Sequence, residues 1–483
     1  NAQAWNGSFE FVGSNSLNLG TGAVTLGADL TLTVAAGTLL EGGAIGGAYA
    51  LTKAGGGVLT LSGTNTFSGG LTLSAGTLNL NNATALGSSA SVFTILGGSI
   101  DNSSGAALTL SNGNAQIWGG SFAFVGANDL NMGSGAVSLG ANIRVTVNSG
   151  TLRQGGVLSG VYSLTKAGSG KLMLTGFNLY TGATVISAGS LQIGDGGSSG
   201  ALDSQSAITN NANLVFNLSS EVTQGTDFAP TITGTGALFQ TGSGTLVLNG
   251  ANTYTGPTTI SAGTLQIGAG GSTGALSSSS AITNNATLAF KRADMVIQGT
   301  DFAPTIGGAG SVLQLGSGTL VLTGVNTFSG ATRIKNGVLQ IGSGGTTGAL
   351  SSSSAITDDS VLAFNRSNTI VQGSDFAATI GGAGEVWQIG SGTLVLSGNN
   401  TYSGGTTLGA GRLFVNNGGA LGAGRTRSFG AGARRRRRRG RASVPAQQPS
   451  ARGRARRRSS APCCGRCRRS RSARSRSACA AGC

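Results

Sequence analysis

One block is laid end to end three times with a period of 74, and this limits the chain to architectures that stack copies of one unit. Gly-Ser-Gly-Thr-Leu-Val-Leu begins at Gly242, Gly316 and Gly390. Ala-Ile-Thr recurs at Ala207, Ala281 and Ala355, and Gln-Gly-Thr/Ser-Asp-Phe-Ala at Gln224, Gln298 and Gln372. A longer period of 113 lies upstream: Asn1-Ala-Gln-Ala-Trp5 returns as Asn114-Ala-Gln-Ile-Trp118, and the register holds through Lys53 and Lys166. Each copy covers its neighbour's apolar face, so such a chain makes a scaffold or a surface more readily than a pocket.

Between the turns the residues alternate with period two. Leu246/Leu248, Thr258/Ile260 and Leu265/Ile267 each pair across one intervening residue, and Gly or Asn-rich segments separate them. That is strand periodicity with turn punctuation, and no 3.6-residue pattern competes with it before the C-terminal tail. Short strands and tight turns fit a right-handed parallel β-helix (a β-solenoid), each strand pairing with its equivalent one turn below. A turn of ~20–25 residues divides the two periods into about three and about five turns. Some 18 turns at ~4.8 Å would rise on the order of 90 Å. A β-propeller is the alternative, but its blades repeat every ~40–50 residues, which neither period matches well.

Composition divides the chain at Gly424. Residues 425–483 hold 20 of the 31 Lys and Arg, none of the 15 acids and all five Cys. The net charge of +16 therefore misleads: residues 1–424 carry 11 bases against 15 acids, a balance of −4. The expected organisation is a β-helical region over 1–424, with 113-residue repeats at 1–113 and 114–200 and 74-residue repeats from about 200 to 424, followed by a disordered basic tail at 425–483. Taken literally, the tail is an Arg-rich arm that would bind nucleic acid through phosphate contacts. Poly-Arg at 434–439 is also what a GC-rich Gly run gives one base out of frame, and the tail is expected to be a frameshift product. Cys463, Cys464 and Cys467 have no second ligand pair at a zinc-finger spacing. The chain opens inside a repeat on Asn1, without a secretory signal, so its start is expected to be missing.

Five units share Gly-x-Leu-x-Leu-x-Gly-x-Asn-x-Tyr/Phe-Ser/Thr-Gly, with Asn65, Asn178, Asn252, Asn326 and Asn400 at its centre. The Asn suits left-handed turn geometry, and identical Asn side chains stacked turn on turn could form a hydrogen-bonded ladder. The aromatic two residues later (Phe67, Tyr180, Tyr254, Phe328, Tyr402) reads as a packing column, with glycan stacking as the functional alternative. Asp227, Asp301 and Asp375 are copied with the block, which suits a turn and not a unique active site. The Gly-rich segments 194–200, 268–274 and 342–348 resemble phosphate cradles superficially, but no helix follows to lend its N-terminus. The chain has no His, which excludes Ser–His and Cys–His nucleophile pairs and His-ligated metal. No catalytic, cofactor-binding or metal-binding residue is expected.

Residues 390–407, Gly-Ser-Gly-Thr-Leu-Val-Leu-Ser-Gly-Asn-Asn-Thr-Tyr-Ser-Gly-Gly-Thr-Thr, closely resemble the autotransporter-associated β-strand repeat of type V secreted passengers. The five Asn-centred units carry the resemblance. It implies a non-enzymatic passenger displayed on the surface of a Gram-negative bacterium, serving as stalk or adhesin and supporting secretion. It also implies an outer-membrane translocation barrel as partner, absent from this sequence, and a host or neighbouring-cell surface as target. Two other functions remain open: a β-helical enzyme acting on polysaccharide, which would need a non-repeated charged cluster in a groove, and nucleic-acid binding through the tail. The absence of Cys from residues 1–424 agrees with export in an unfolded state.

Overall fold

A computed structural model describes residues 1–428. Within them the chain forms fifty-one short strands and no helix. Every ladder is parallel, and each strand pairs with its equivalent one turn along the chain, as in Leu246↔Leu265↔Leu288↔Val312. This is the β-solenoid expected from the sequence, with about 19 turns. Strand pairing crosses the boundaries between repeats and runs past Gly424 to the strand Thr426–Ser428. The Arg-rich segment and its five Cys lie outside the described residues.

Period-two alternation builds the core. In the strand Thr264–Ile267, Leu265 and Ile267 are fully buried while Thr264 and Gln266 between them are partly exposed. Equivalent Leu, Ile, Val and Phe from every turn stack into one continuous apolar cluster, each side chain contributing roughly 1.5–3 kcal/mol of burial free energy. Leu246, Leu320 and Leu394, one block apart, all belong to it. The corners are tight. Gly263 has φ 60°, and a Cβ there would run into the carbonyl oxygens of Gly242 and Gly244 on the turn below, so only glycine fits.

The repeats do not divide into whole turns. Each turn has three faces: from Thr245–Leu248 the chain passes a loop around Asn252, then the strand Thr258–Ile260, and returns to the first face at Thr264–Ile267. Three successive turns carry Leu246 to Leu265, Leu288 and Val312 on one sheet. Leu320, the block equivalent of Leu246, lies further along the chain, in the sheet that begins at Met295–Ile297. Leu394 stands in yet another sheet, with Ile370 and Leu413. The 113-residue period behaves alike: five turns take Leu17 to Leu39, Leu59, Leu78, Ile100 and Phe124, and the equivalent Leu130 starts on the neighbouring sheet. The expected about three and about five turns are in fact three and five turns plus one face. The cause is the length of a turn, which divides neither period evenly: three turns from Leu246 end at Val312, short of Leu320. Successive copies of any residue therefore point to different sides of the solenoid.

Candidate functional site

Several of the recurrent polar residues are turned inward. The five motif asparagines are 2 to 6% exposed. Each Oδ1 accepts from a backbone N–H one turn earlier: Ile45, Leu158, Ile232, Ile306 and Ile380, at 2.8–3.1 Å. Each Nδ2 donates to a backbone carbonyl on the turn above: Ala85, Ala201, Ala275, Ala349 and Ala420, at 2.7–3.1 Å. One side chain thus clips three turns together where the loop interrupts the sheet. The asparagines do not form a ladder with one another. They lie more than three turns apart on successive faces, so the stacking expected from the sequence is replaced by Asn-to-backbone clamps.

The same rotation separates the aromatic residues. Phe67, Tyr180, Tyr254, Phe328 and Tyr402 are fully buried, which removes them as a glycan-stacking stripe, and they fill the core locally without forming one column. Burial pushes the Tyr402 hydroxyl up to about 12, and it bonds Thr406 Oγ1 at 2.6 Å.

The Gln-Gly-Thr/Ser-Asp-Phe-Ala segment completes each clamp. Gln224 Nε2 donates to Asn252 Oδ1 at 2.6 Å, and Asn252 Nδ2 returns a bond to Gln224 Oε1 at 2.9 Å. Gln298–Asn326 and Gln372–Asn400 repeat this amide pair. Asp227, Asp301 and Asp375 accept from Thr223 N, Ile297 N and Val371 N at 2.7 Å, closing the turn as expected. The following Phe packs into the core against Phe216, Phe290 or Phe364, with ring centroids 4.8–4.9 Å apart. The role of Gln was missed from sequence; its constant lead over the Asn in all three blocks was the available signal.

Lys53 and Lys166 are the buried cations of the first two repeats. Lys53 Nζ donates to the carbonyls of Ala54, Gly55 and Ala75, and Lys166 Nζ to those of Ala167, Gly168 and Ala188, at 2.7–3.1 Å. Burial lowers both amines to about 8. In the 74-residue blocks Gln240, Gln314 and Gln388 fill the same corner, each bonding two glycine carbonyls.

Two of the Gly-rich segments are occupied from within. Arg292 donates to the carbonyls of Gly274 and Ser272 and forms a two-point contact with Asp294 at 2.9 and 2.6 Å. Arg366 does the same to Gly348 and Thr346. Carbonyl oxygens face the guanidinium, so these loops bind an internal cation and not a phosphate.

One concave surface combines copied residues, Asn131 and Thr151 repeating Asn18 and Thr38, with uncopied ones, Arg153 and Asp195. A groove of about 370 Å³ runs over the outer face of the sheet that starts at Leu108–Thr109, and a second hollow of about 340 Å³ adjoins it. Thr109, Asn131, Arg153 and Met173 follow one another in register across it. Arg153 pairs with Asp195 at 2.6 Å, and Asp129 accepts from Thr151 N at 2.7 Å. Arg153 stands where the first repeat has Leu40, and Asp195 where the later blocks have Ala269 and Ser343. Sequence reasoning missed this cluster because its members come from successive turns, and Arg153 and Asp195 follow no recurring motif. Both carboxyls are exposed and engaged, which does not suit a buried general acid. Among the described residues no group of three acids, His or Cys gathers as a metal site.

Comparison with known proteins follows the same units. The passenger-associated-transport-repeat model matches five segments, 51–80, 164–193, 238–267, 313–341 and 388–414, bearing out the resemblance carried by the Asn-centred motifs. The first match takes in four strands, from Leu51–Ala54 to Thr77–Leu80, with the Asn65 loop between them. The chain is also 29% identical over 463 residues to the Adhesin BmaC autotransporter of Brucella suis biovar 1 (strain 1330). That match covers 84% of this chain and 12% of the relative's length. No solved structure matches the chain.

Proposed function

We propose that this chain, whose solenoid carries five passenger-associated-transport-repeats, is a non-enzymatic passenger segment held on the surface of a Gram-negative cell, where it acts as stalk and adhesin. The observation that carries this reading is the inward, structural use of the motif asparagines, their glutamine partners and the corner lysines and glutamines. The motif asparagines, their glutamine partners and the two lysines hold neighbouring turns together, while the corner glutamines and turn aspartates close their own turns. In the full protein an outer-membrane barrel would supply translocation, consistent with the autotransporter named as its relative. The contact face for a target surface is the groove around Asn131 and the uncopied pair Arg153 and Asp195. Half-buried Arg153 and Asn131 and exposed Asp195 line an open hollow over a sheet of paired strands.

Display of the chain on a Gram-negative host through a carrier barrel, followed by counting bound cells on a panel of host-cell and matrix-coated surfaces, tests this. Retention above an empty-barrel control is expected, reduced by Arg153→Ala with display unchanged. Equal retention with and without the chain on every surface rejects the adhesin reading. Glycan cleavage by the purified chain, lost on changing Asp129 or Asp195, would replace it with the enzyme reading.

A further inference from the structure

Asn210, Asn284 and Asp358 occupy the same position in the three blocks, and the third copy alone is an acid. All three side chains are fully buried. In the first two, Nδ2 donates to the carbonyl of Ala237 at 2.8 Å or Ser311 at 2.9 Å on the turn above. Their Oδ1 atoms accept from Ala212 N and Ala286 N. Asp358 Oδ1 keeps the second of these bonds, accepting from Ser360 N at 3.1 Å. Its Oδ2 takes the place of the amide nitrogen, and the counterpart of Ser311 is Glu385, so a carboxylate oxygen would be set toward a carbonyl oxygen. Oδ2 has no hydrogen-bond partner.

A carboxylate cannot replace the amide donor, but a carboxylic acid can. We propose that Asp358 is held as a neutral acid whose Oδ2–H donates to the Glu385 carbonyl, and that loss of this proton to solvent unlatches the turns between residues 356 and 388. The surrounding charges favour the neutral form. Asp359 is adjacent in sequence, and Glu385 starts the strand above, its Oε2 accepting from Trp387 Nε1. Arg333 on the strand below and Lys335 just past its end are exposed, and the strand Ile380–Gly381 above has no ionisable group. The Tyr402 hydroxyl also senses Asp358 and is committed to Thr406. Burial, with smaller additions from Asp359 and Glu385 and opposed by the backbone N–H groups of Ser360 and Leu362, pushes the Asp358 carboxyl up to about 7.

The sign of the pH effect follows. A carboxyl raised in the folded state stabilises the fold fully below its unfolded value and loses that contribution as pH rises through the folded value. Native-state hydrogen exchange on the full chain, corrected for intrinsic rates, reads the local opening constant of residues 356–388. It should rise about tenfold per pH unit between ~4 and neutrality and level off above it. In Asp358→Asn that rise should vanish, while residues 208–240 should behave alike in both proteins. Infrared difference spectra, wild type minus Asp358→Asn, should show a protonated carboxyl band at pH 5 that is gone by pH 9. Asn284→Asp should transfer the same dependence to residues 282–314, and it carries the test should Asp358→Asn fail to fold. Parallel pH profiles in wild type and Asp358→Asn, an ionised Asp358 at pH 5, or no new dependence in Asn284→Asp would each overturn the proposal.

Discussion

Residues 1–200 and 201–424 build the same solenoid with different fastenings. In the first region an ammonium fills the corner carbonyls of each matched repeat, through Lys53 and Lys166, and the motif asparagine works without an amide partner. In the second, Gln240, Gln314 and Gln388 take the corner, and a further Gln joins each Asn in a reciprocal pair. The comparison teaches that the corner demands donors, not charge. Where the chain turns without a strand, backbone groups lose their ladder partners, and any long side chain with buried N–H groups restores them.

Removing the clamp should have the largest effect and should separate the regions. Asn252→Ala strands Ile232 N, the Ala275 carbonyl and Gln224 Nε2, whose Oε1 keeps the N–H of Gly250, while Asn65→Ala strands Ile45 N and the Ala85 carbonyl. At ~1–3 kcal/mol per unsatisfied buried group, we expect about 5 kcal/mol of local stability lost at Asn252 and about 3 kcal/mol at Asn65. Hydrogen exchange resolves the two sites, which suits a solenoid whose distant turns need not unfold together. Equal losses would mean that the Gln adds nothing to the clamp.

The corner comes next. Lys53→Met keeps the apolar stem and removes the donors to three carbonyls, an expected loss of about 3 kcal/mol by the same unsatisfied-group range. Lys53→Gln should cost no more than about 1.5 kcal/mol, the worth of one ordinary hydrogen bond, because Gln240 already serves this corner downstream. A Gln variant as damaged as Met would show that the two regions are not interchangeable. A smaller contrast lies within the second region. Arg292→Ala frees the loop at 268–274 and should cost about 1.5–3 kcal/mol, confined to that loop, because the lost bonds involve a charged donor. At 194–200 Leu218 replaces that Arg and the loop's own ion pair runs from Asp195 to Arg153, so Leu218→Ala removes no charged contact and should leave the loop's backbone exchange closer to wild type.

The fold was legible because period two, glycine corners and ungapped repeats all specify one arrangement. Asp227 and its copies were likewise legible as turn residues, since copying argues against a unique site. The rotation between repeats was not. It depends on how far each loop bulges, from the short step Leu246–Leu265 to the longer step Leu288–Val312, and these unequal steps leave no mark on the period of the blocks. That single fact turned an expected Asn ladder into separate clamps. The groove at Arg153 was hidden for a related reason: Thr109, Asn131, Arg153 and Met173 meet only once the turns are stacked.

The smallest expected effect concerns a natural exchange within the second region. Tyr254 OH bonds Thr258 Oγ1 at 2.7 Å, and Thr258 reaches Ser280 Oγ at 3.3 Å. One block on, Phe328 has no hydroxyl, and the Thr332–Ser354 contact tightens to 2.8 Å. The threonine therefore turns from Tyr to Ser when the phenol is absent, so no buried group is left unpaired. Tyr254→Phe should copy this state and cost about 0.5–1 kcal/mol, the low end for a hydrogen bond whose partner can re-pair. Combining it with Ser280→Ala removes the fallback and should cost more than the two single changes added, with a coupling of at least ~0.5 kcal/mol for residues sharing one network. Strict additivity would show that Thr258 is satisfied by neither neighbour, and that the shorter contact at Thr332 does not compensate for the missing phenol.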